Sequence, residues 1–117
     1  MSHAAALVDE IANELDGWPG VEIERRSESV ALARYKDLEL GVLDRDRGVV
    51  ELRFSRLEHD SLVEHGDAEP QEATPDSNVV SHDVEGPSDV TAALELFDRR
   101  YREVRGEEYP DGLPDPA

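Results

Sequence analysis

A chain of 117 residues with 29 acidic and 12 basic side chains carries a formal net charge of −17 and contains no cysteine. Its length suits one hydrophobic core, the missing thiols exclude disulfides and thiolate metal centres, and the anionic excess speaks to solubility. No apolar run approaches the roughly 20 residues of a membrane span, and the start lacks the basic and apolar stretches of a signal peptide, so a cytoplasmic protein is expected.

From Ala4 to Asp16, Leu7, Ile11 and Leu15 recur every four residues beside Val8 and Ala12, which predicts an amphipathic helix with Ser2 as a possible cap. Gly17 stops it, and Trp18-Pro19-Gly20 turns the chain, with the indole expected to fold back as a lid on the core. Three extended segments follow: Val21 and Ile23 alternate with glutamates, Val30 and Leu32 lead a run to Tyr35, and Leu38, Leu40 and Val42 are read as alternating with polar neighbours. Asp44 to Gly48 reads as a hairpin loop, after which Val50, Leu52 and Phe54 line one face of a strand. Ser55 and Glu58 form a capping box opening a short helix whose thin apolar side is Leu57, Leu62 and Val63 and whose end is Gly66. Asp67 to Ser77 reads as a surface loop, and Asn78 to Val84 as a last strand. Gly86-Pro87-Ser88 then launches a helix with the stripe Val90, Ala93, Leu94, Phe97, Tyr101 and Val104, its arginines and acids facing water.

Residues 1–105 therefore form one domain, and residues 106–117, with three prolines and no pattern, read as a disordered tail. The fold class is α+β, a two-layer sandwich with a mainly antiparallel sheet of four to five strands and helices packed on one face. Apolar content is only 38% with 5% aromatics, so the core should be small and aliphatic. Every basic residue except Lys36 is arginine. Because molar salt shortens the Debye length to roughly 3 Å, such a charge suits a halophilic chain whose acidity keeps it dissolved.

The residues that carry chemistry elsewhere do not assemble into a catalytic centre on paper. In Ser81-His82-Asp83, neighbours on a strand point to opposite faces, so His82 cannot meet both flanking side chains. His59 and His65 are about 240° apart on a helix and share no face, which leaves no metal expected there. Asp44, Asp46 and Gly48 lack the glycine position and closing glutamate of a calcium loop. Arg99, Arg100, Arg102 and Arg105 interleave with Glu95, Asp98, Glu103 and Glu107, as on a salt-bridged helix face, and no nucleic acid partner is expected.

Several short motifs occur in a familiar order: Pro19-Gly20-Val21; Asp37-Leu38-Glu39-Leu40-Gly41; Leu62 to Pro70; Pro75-Asp76-Ser77 before a strand; and Asp89-Val90 opening a helix that reaches Tyr101. In that order and spacing the chain, from its first helix to about Val104, resembles the luciferase-like domains, a small α+β family, as an acidic member of haloarchaeal type. The resemblance implies a shared fold and not light emission. It also shows two departures: Val42-Leu43-Asp44 stands where relatives tend to carry histidines, and Asn78-Val79 where Gly-Trp is expected.

The leading expectation is a non-catalytic module that binds a small molecule or a protein partner through Glu39, Pro75, Asp76, Ser77 and Ser81, with no cofactor and no metal. These positions match the resembled motifs and lie on polar loops or strand ends. The rival expectation is an enzyme with Glu39 or Asp76 as general base in a pocket. Self-association through an uncovered strand edge is a third, so a monomer or weak dimer is expected.

Overall fold

Strand and helix periods both have to aim their apolar residues at one layer, and the order of elements shows how they do so. The computed structural model describes residues 3–66, 68–70 and 78–107. It contains α1 (His3–Asp16), β1 (Val21–Arg25), β2 (Val30–Tyr35), β3 (Leu38–Asp44), β4 (Val49–Arg53), α2 (Arg56–Glu64), β5 (Glu69–Pro70), β6 (Val79–Asp83) and α3 (Pro87–Glu107). The sheet order is β1-β2-β3-β4-β6-β5 with every neighbouring pair antiparallel. Four strands form a meander, and β6 returns to the free side of β4. This is the expected α+β class, and β5 adds a two-residue sixth strand inside the segment read as loop.

Register identifies the buried face. Val21 opposes Tyr35 and Ile23 opposes Ala33; Gly41 opposes Leu52, and Leu52 in turn opposes Val80. These strand residues share one core with Leu7, Ile11 and Leu15 of α1, Leu62 of α2, and Val90, Ala93, Leu96, Phe97 and Val104 of α3. The described helices therefore lie on a single side of the sheet. Among the described residues, no helix is long and apolar enough to cross a membrane.

A bulge shifts the phase within this layer. Ala33 pairs with Gly41, but Arg34 pairs with Glu39, so Leu40 is an extra residue on β3. Leu38, Leu40 and Leu43 turn inward, and Val42 opposes Leu32 on the other face. The simple alternation of Leu38, Leu40 and Val42 is thus broken by one inserted residue. β2 likewise commits Ala33 and Tyr35 to the core, while Val30 and Leu32 take the opposite face.

Gly41 is where α3 meets the sheet. A Cβ there would sit 2.7 Å from the Glu51 carbonyl oxygen, 2.9 Å from Phe97 Cε1 and 3.0 Å from Leu52 Cγ. Phe97 is fully buried, so the missing side chain is what lets its ring lie on the strand backbone. Gly48 has a similar place at the β3–β4 turn: its φ is 67°, and an added Cβ would meet the Ala4 Cβ at 2.8 Å. In that turn the Asp44 side chain accepts the Asp46 and Arg47 N–H groups, as the hairpin reading requires.

At the far end of α3, Tyr101 donates to the Pro19 carbonyl at 2.7 Å and packs against Trp18 and Tyr35, with ring centroids 5.2 and 5.3 Å away. The indole is half-buried against the core, in the position expected of a lid.

Four local expectations are corrected. Leu57 is 83% exposed, because the buried side of α2 carries His59 and Leu62. Leu96 is buried and Leu94 only partly so, which rotates the stripe of α3. Arg100 does not face water: it is 8% exposed, donates from Nε to the Glu39 carbonyl at 3.1 Å, and pairs with Glu103 at 2.8 Å. Finally, α3 continues through Gly106 to Glu107; residues 108–117 of the expected tail lie outside the described residues. Of the expected capping box at α2 only half forms: Ser55 Oγ accepts the Glu58 N–H, but the Ser55 N–H donates to Glu103 and the Glu58 carboxylate pairs with Arg99; Gly66 adopts φ 76° just beyond the helix end.

Gly41→Ala should lower stability by about 1–3 kcal/mol, the usual cost of overfilling a packed site. Adding Phe97→Leu should recover part of the loss relative to the two single changes summed, read as a positive coupling in a denaturant double-mutant cycle. Strict additivity would mean that ring and strand do not compete for this space.

Candidate functional site

The open side of the sheet is read from the same register. One row across the strands holds Glu24, Leu32, Val42, Glu51, Ser81 and Glu69. The next row holds Val30, Asp44, Val49 and Asp83. Four of these ten outward positions are aliphatic: Val30, Leu32 and Val42 adjoin on β2 and β3, and Val49 on β4 stands between Asp44 and Asp83, diagonal to Val42. A solvated antiparallel face would carry polar residues there. Leu32 and Val49 are only 7% and 6% exposed, and Val30 and Val42 are half-buried, so little of this apolar surface reaches solvent.

Two sequence-predicted site residues lie on this face. Ser81 stands in the first row between Glu51 and Glu69. Glu39 opposes Arg34 one row further along and two strands away, so the two are on the same side of the sheet but are not neighbours. Pro75, Asp76 and Ser77 lie outside the described residues. The Glu39-Leu40-Gly41 step has a packing role: the Glu39 carbonyl receives Arg100, Leu40 is fully buried, and Gly41 seats Phe97.

Charge is unevenly arranged over the face. At the β1 edge, Glu24 is matched by Arg26 at 3.2 Å and Arg34 at 3.6 Å. Across β3, β4, β6 and β5, the same two rows contain Asp44, Glu51, Asp83 and Glu69 and no basic residue. Arg53 stands one row away, opposite Val79, and Arg47 lies in the β3–β4 turn.

A second feature is a pair that the sequence analysis did not bring together. His82 opposes Val50 on the helix side, whereas Ser81 and Asp83 oppose Glu51 and Val49 on the open side, which rules out a Ser-His-Asp arrangement as the strand argument anticipates. The His82 imidazole instead meets α3: its Nε2 is shielded from water and lies 3.4 Å from Asp89 Oδ1, within ion-pair range but without hydrogen-bond geometry. The signal was the period of two that puts His82 in phase with Val80 and Val84. Its partner lies across a turn and carries no such mark.

Asp89 also organises the start of α3. Its Oδ2 accepts the Glu85 and Gly86 N–H groups at 2.9 and 3.1 Å. The Glu85 N–H is the main reason its carboxyl sits below the usual aspartate range; partial burial opposes this, and the Gly86 N–H and His82 add to it. The pair borders a cleft of about 210 Å³ lined by Gly66, Ala68, Glu69, Ser81, Asp83 and Glu85. A wider open groove of about 450 Å³ lies between the β3–β4 turn, the start of α1 and the end of β6, with Ala4 and Val84 as its apolar lining among the described residues. Ligand pockets are mostly apolar, so neither hollow has the usual lining. Glu39 lines neither of these two hollows.

The α2 histidines also separate. His59 is 3% exposed, with Nδ1 3.1 Å from Asp60 and Nε2 lacking a hydrogen-bond partner; His65 is exposed at the helix end, its Nδ1 2.7 Å from the Ser61 carbonyl. Among the described residues, no three His, Asp or Glu side chains are placed to hold a metal ion.

No protein-family model, curated protein or solved structure matches this chain.

Because Asp89 is held in its charged form by the fold, its contribution to stability is complete above the ordinary carboxyl pKa near pH 4 and disappears as pH falls through the lower folded value. Asp89→Ala should cost about 1 kcal/mol at neutral pH, like a lost helix cap. The difference between wild type and variant should shrink during acid titration followed by circular dichroism; a difference independent of pH would remove the carboxylate from this role.

Proposed function

We propose that the chain is a halophilic, cytosolic, non-catalytic binding module that engages a protein partner through the helix-free face of its sheet, and that it is a divergent relative of the luciferase-like domains. One observation supports the binding role: the outward positions Val30, Leu32, Val42 and Val49 on three neighbouring strands are aliphatic where a solvated face would be polar. The bulge in β3 is part of this arrangement, since it places Val42 beside Leu32 while Leu43 enters the core.

The alternatives have less behind them. A small-molecule site would call for an apolar hollow, and the two clefts are polar. The kinship rests on motif order. The salt-adapted, cytosolic setting rests on a net charge of −17 and a single lysine.

The test is amide NMR of the labelled full chain in molar potassium chloride, alone and in extract of a salt-accumulating cell. Amides of β2, β3 and β4 should broaden while those of α1 stay sharp, and Val42→Lys should abolish the broadening without changing the fold. Unchanged spectra, or changes centred on the His82–Asp89 cleft, would overturn the reading.

A further inference from the structure

The sheet leaves main-chain bonding groups unused along β1, and we infer that this edge joins two copies of the chain, antiparallel and centred on Glu24, into one continuous sheet. The contact goes beyond the binding face proposed above and does not involve its aliphatic patch.

The β1–β2 ladder identifies the unused groups. The Lys36 N–H donates to the Gly20 carbonyl and the Arg26 N–H to the Val30 carbonyl, each in line with the register of the two strands. Antiparallel strands exchange hydrogen bonds at every second pair, so Glu22–Arg34 and Glu24–Leu32 are the bonded pairs between those ends. The N–H and C=O groups of Ile23 and Arg25, and the carbonyl of Val21, therefore point away from β2. β1 stands last in the strand order, and among the described residues no strand pairs with its outer side. The opposite edge is blunted: β5 has two residues, and one is Pro70, which has no N–H. β1 has five residues, no proline and no shift of register against β2.

Charge selects the occupant and the register. Edge strands are ordinarily guarded by charged side chains, and chains of net charge −17 repel their own copies. This edge is not acidic, however: positions 21–26 carry two glutamates and two arginines, and Arg34 stands opposite Glu22 on β2. Glu22, Glu24 and Arg26 share the open side of the sheet. Outward groups must meet outward groups, so only odd positions can bond to odd positions across the edge. Pairing Ile23 with Ile23 sets Glu22 opposite Glu24 twice, and like charges directly opposite are destabilising. Pairing Val21 with Ile23 sets Glu22 against itself, and pairing Arg25 with Arg25 sets that arginine against itself. Pairing Ile23 with Arg25 instead sets Glu22 of each copy opposite Arg26 of the other. In that register Ile23 and Arg25 exchange both their main-chain bonds, and the Arg25 stem lies along the partly buried Ile23. Glu24 meets its own counterpart at the two-fold axis, with each carboxylate held by Arg26 at 3.2 Å and Arg34 at 3.6 Å. Molar salt, which shortens the Debye length to roughly 3 Å, removes the long-range repulsion between copies and leaves these short contacts in place.

The test is sedimentation of the full chain over a concentration series in molar potassium chloride, with amide hydrogen exchange read residue by residue. A dimer should form as concentration rises, and the Ile23 and Arg25 amides should become slow to exchange along with it. Glu22 and Glu24, already bonded to β2, should stay slow throughout. Glu22→Arg and Arg26→Glu should each weaken dimerisation about tenfold or more, and an equal mixture of the two variants should pair again. Arg25→Pro should abolish the dimer and keep the fold, because the N–H it removes serves no bond within the chain; a melt of each variant checks this. A chain that stays monomeric at millimolar concentration would overturn the inference. So would a dimer in which the Ile23 and Arg25 amides remain fast, or one that Glu22→Arg strengthens, since that is the sign of Glu22 lying opposite Glu24.

Discussion

Contact between Phe97 and the backbone at Gly41 is the constraint around which the two layers are organised. A fully buried ring lies on a strand position that has no side chain, and no larger residue fits between them. Dense interiors transmit such a fit to their neighbours. With Phe97 fixed, the stripe of α3 selects Val90, Ala93, Leu96 and Val104 for burial, and α1 fills the remaining core beside it. The bulge that turns both Leu40 and Gly41 inward belongs to the same solution, because it brings the glycine under the ring.

Polar groups then fix the ends of the helices. Asp89 ties the start of α3 to the turn after β6, and Tyr101 ties its later part to Pro19. Between them Glu103 accepts from both Arg100 and the Ser55 N–H, while Arg100 reaches the Glu39 carbonyl. One buried guanidinium thus joins α3 to β3 and, through Glu103, to the start of α2. Charged hydrogen bonds of this kind are among the stronger ones, and they set orientation more than they add to burial.

This one-sided arrangement gives the sheet two faces of different character. The helix side is a closed aliphatic core with three aromatic rings clustered at one end. The other side carries an aliphatic patch beside carboxylates, in a chain whose composition otherwise favours hydrated surface. The bulge couples them: the inserted residue that brings Gly41 under Phe97 also sends Val42 outward. The seating of Phe97 on Gly41 and the outward placement of Val42 are therefore consequences of one local irregularity.

The sequence by itself determined the element order, the helix starts at Ser55 and near Pro87, the hairpin at Asp44 to Gly48 and the α+β class, because each depends on residues close together in the chain. Spacing also determined that Ser81, His82 and Asp83 cannot act together, since alternation along a strand is local. Of the candidate site, Ser81 and Glu39 were legible as positions but not as members of one face. The face, the outward turn of Val42, the burial of Arg100 and the meeting of His82 with Asp89 were decided by the tertiary structure. Each depends on register between strands or on a helix crossing a sheet, and a single inserted residue reverses which side of the sheet the later residues of its strand face.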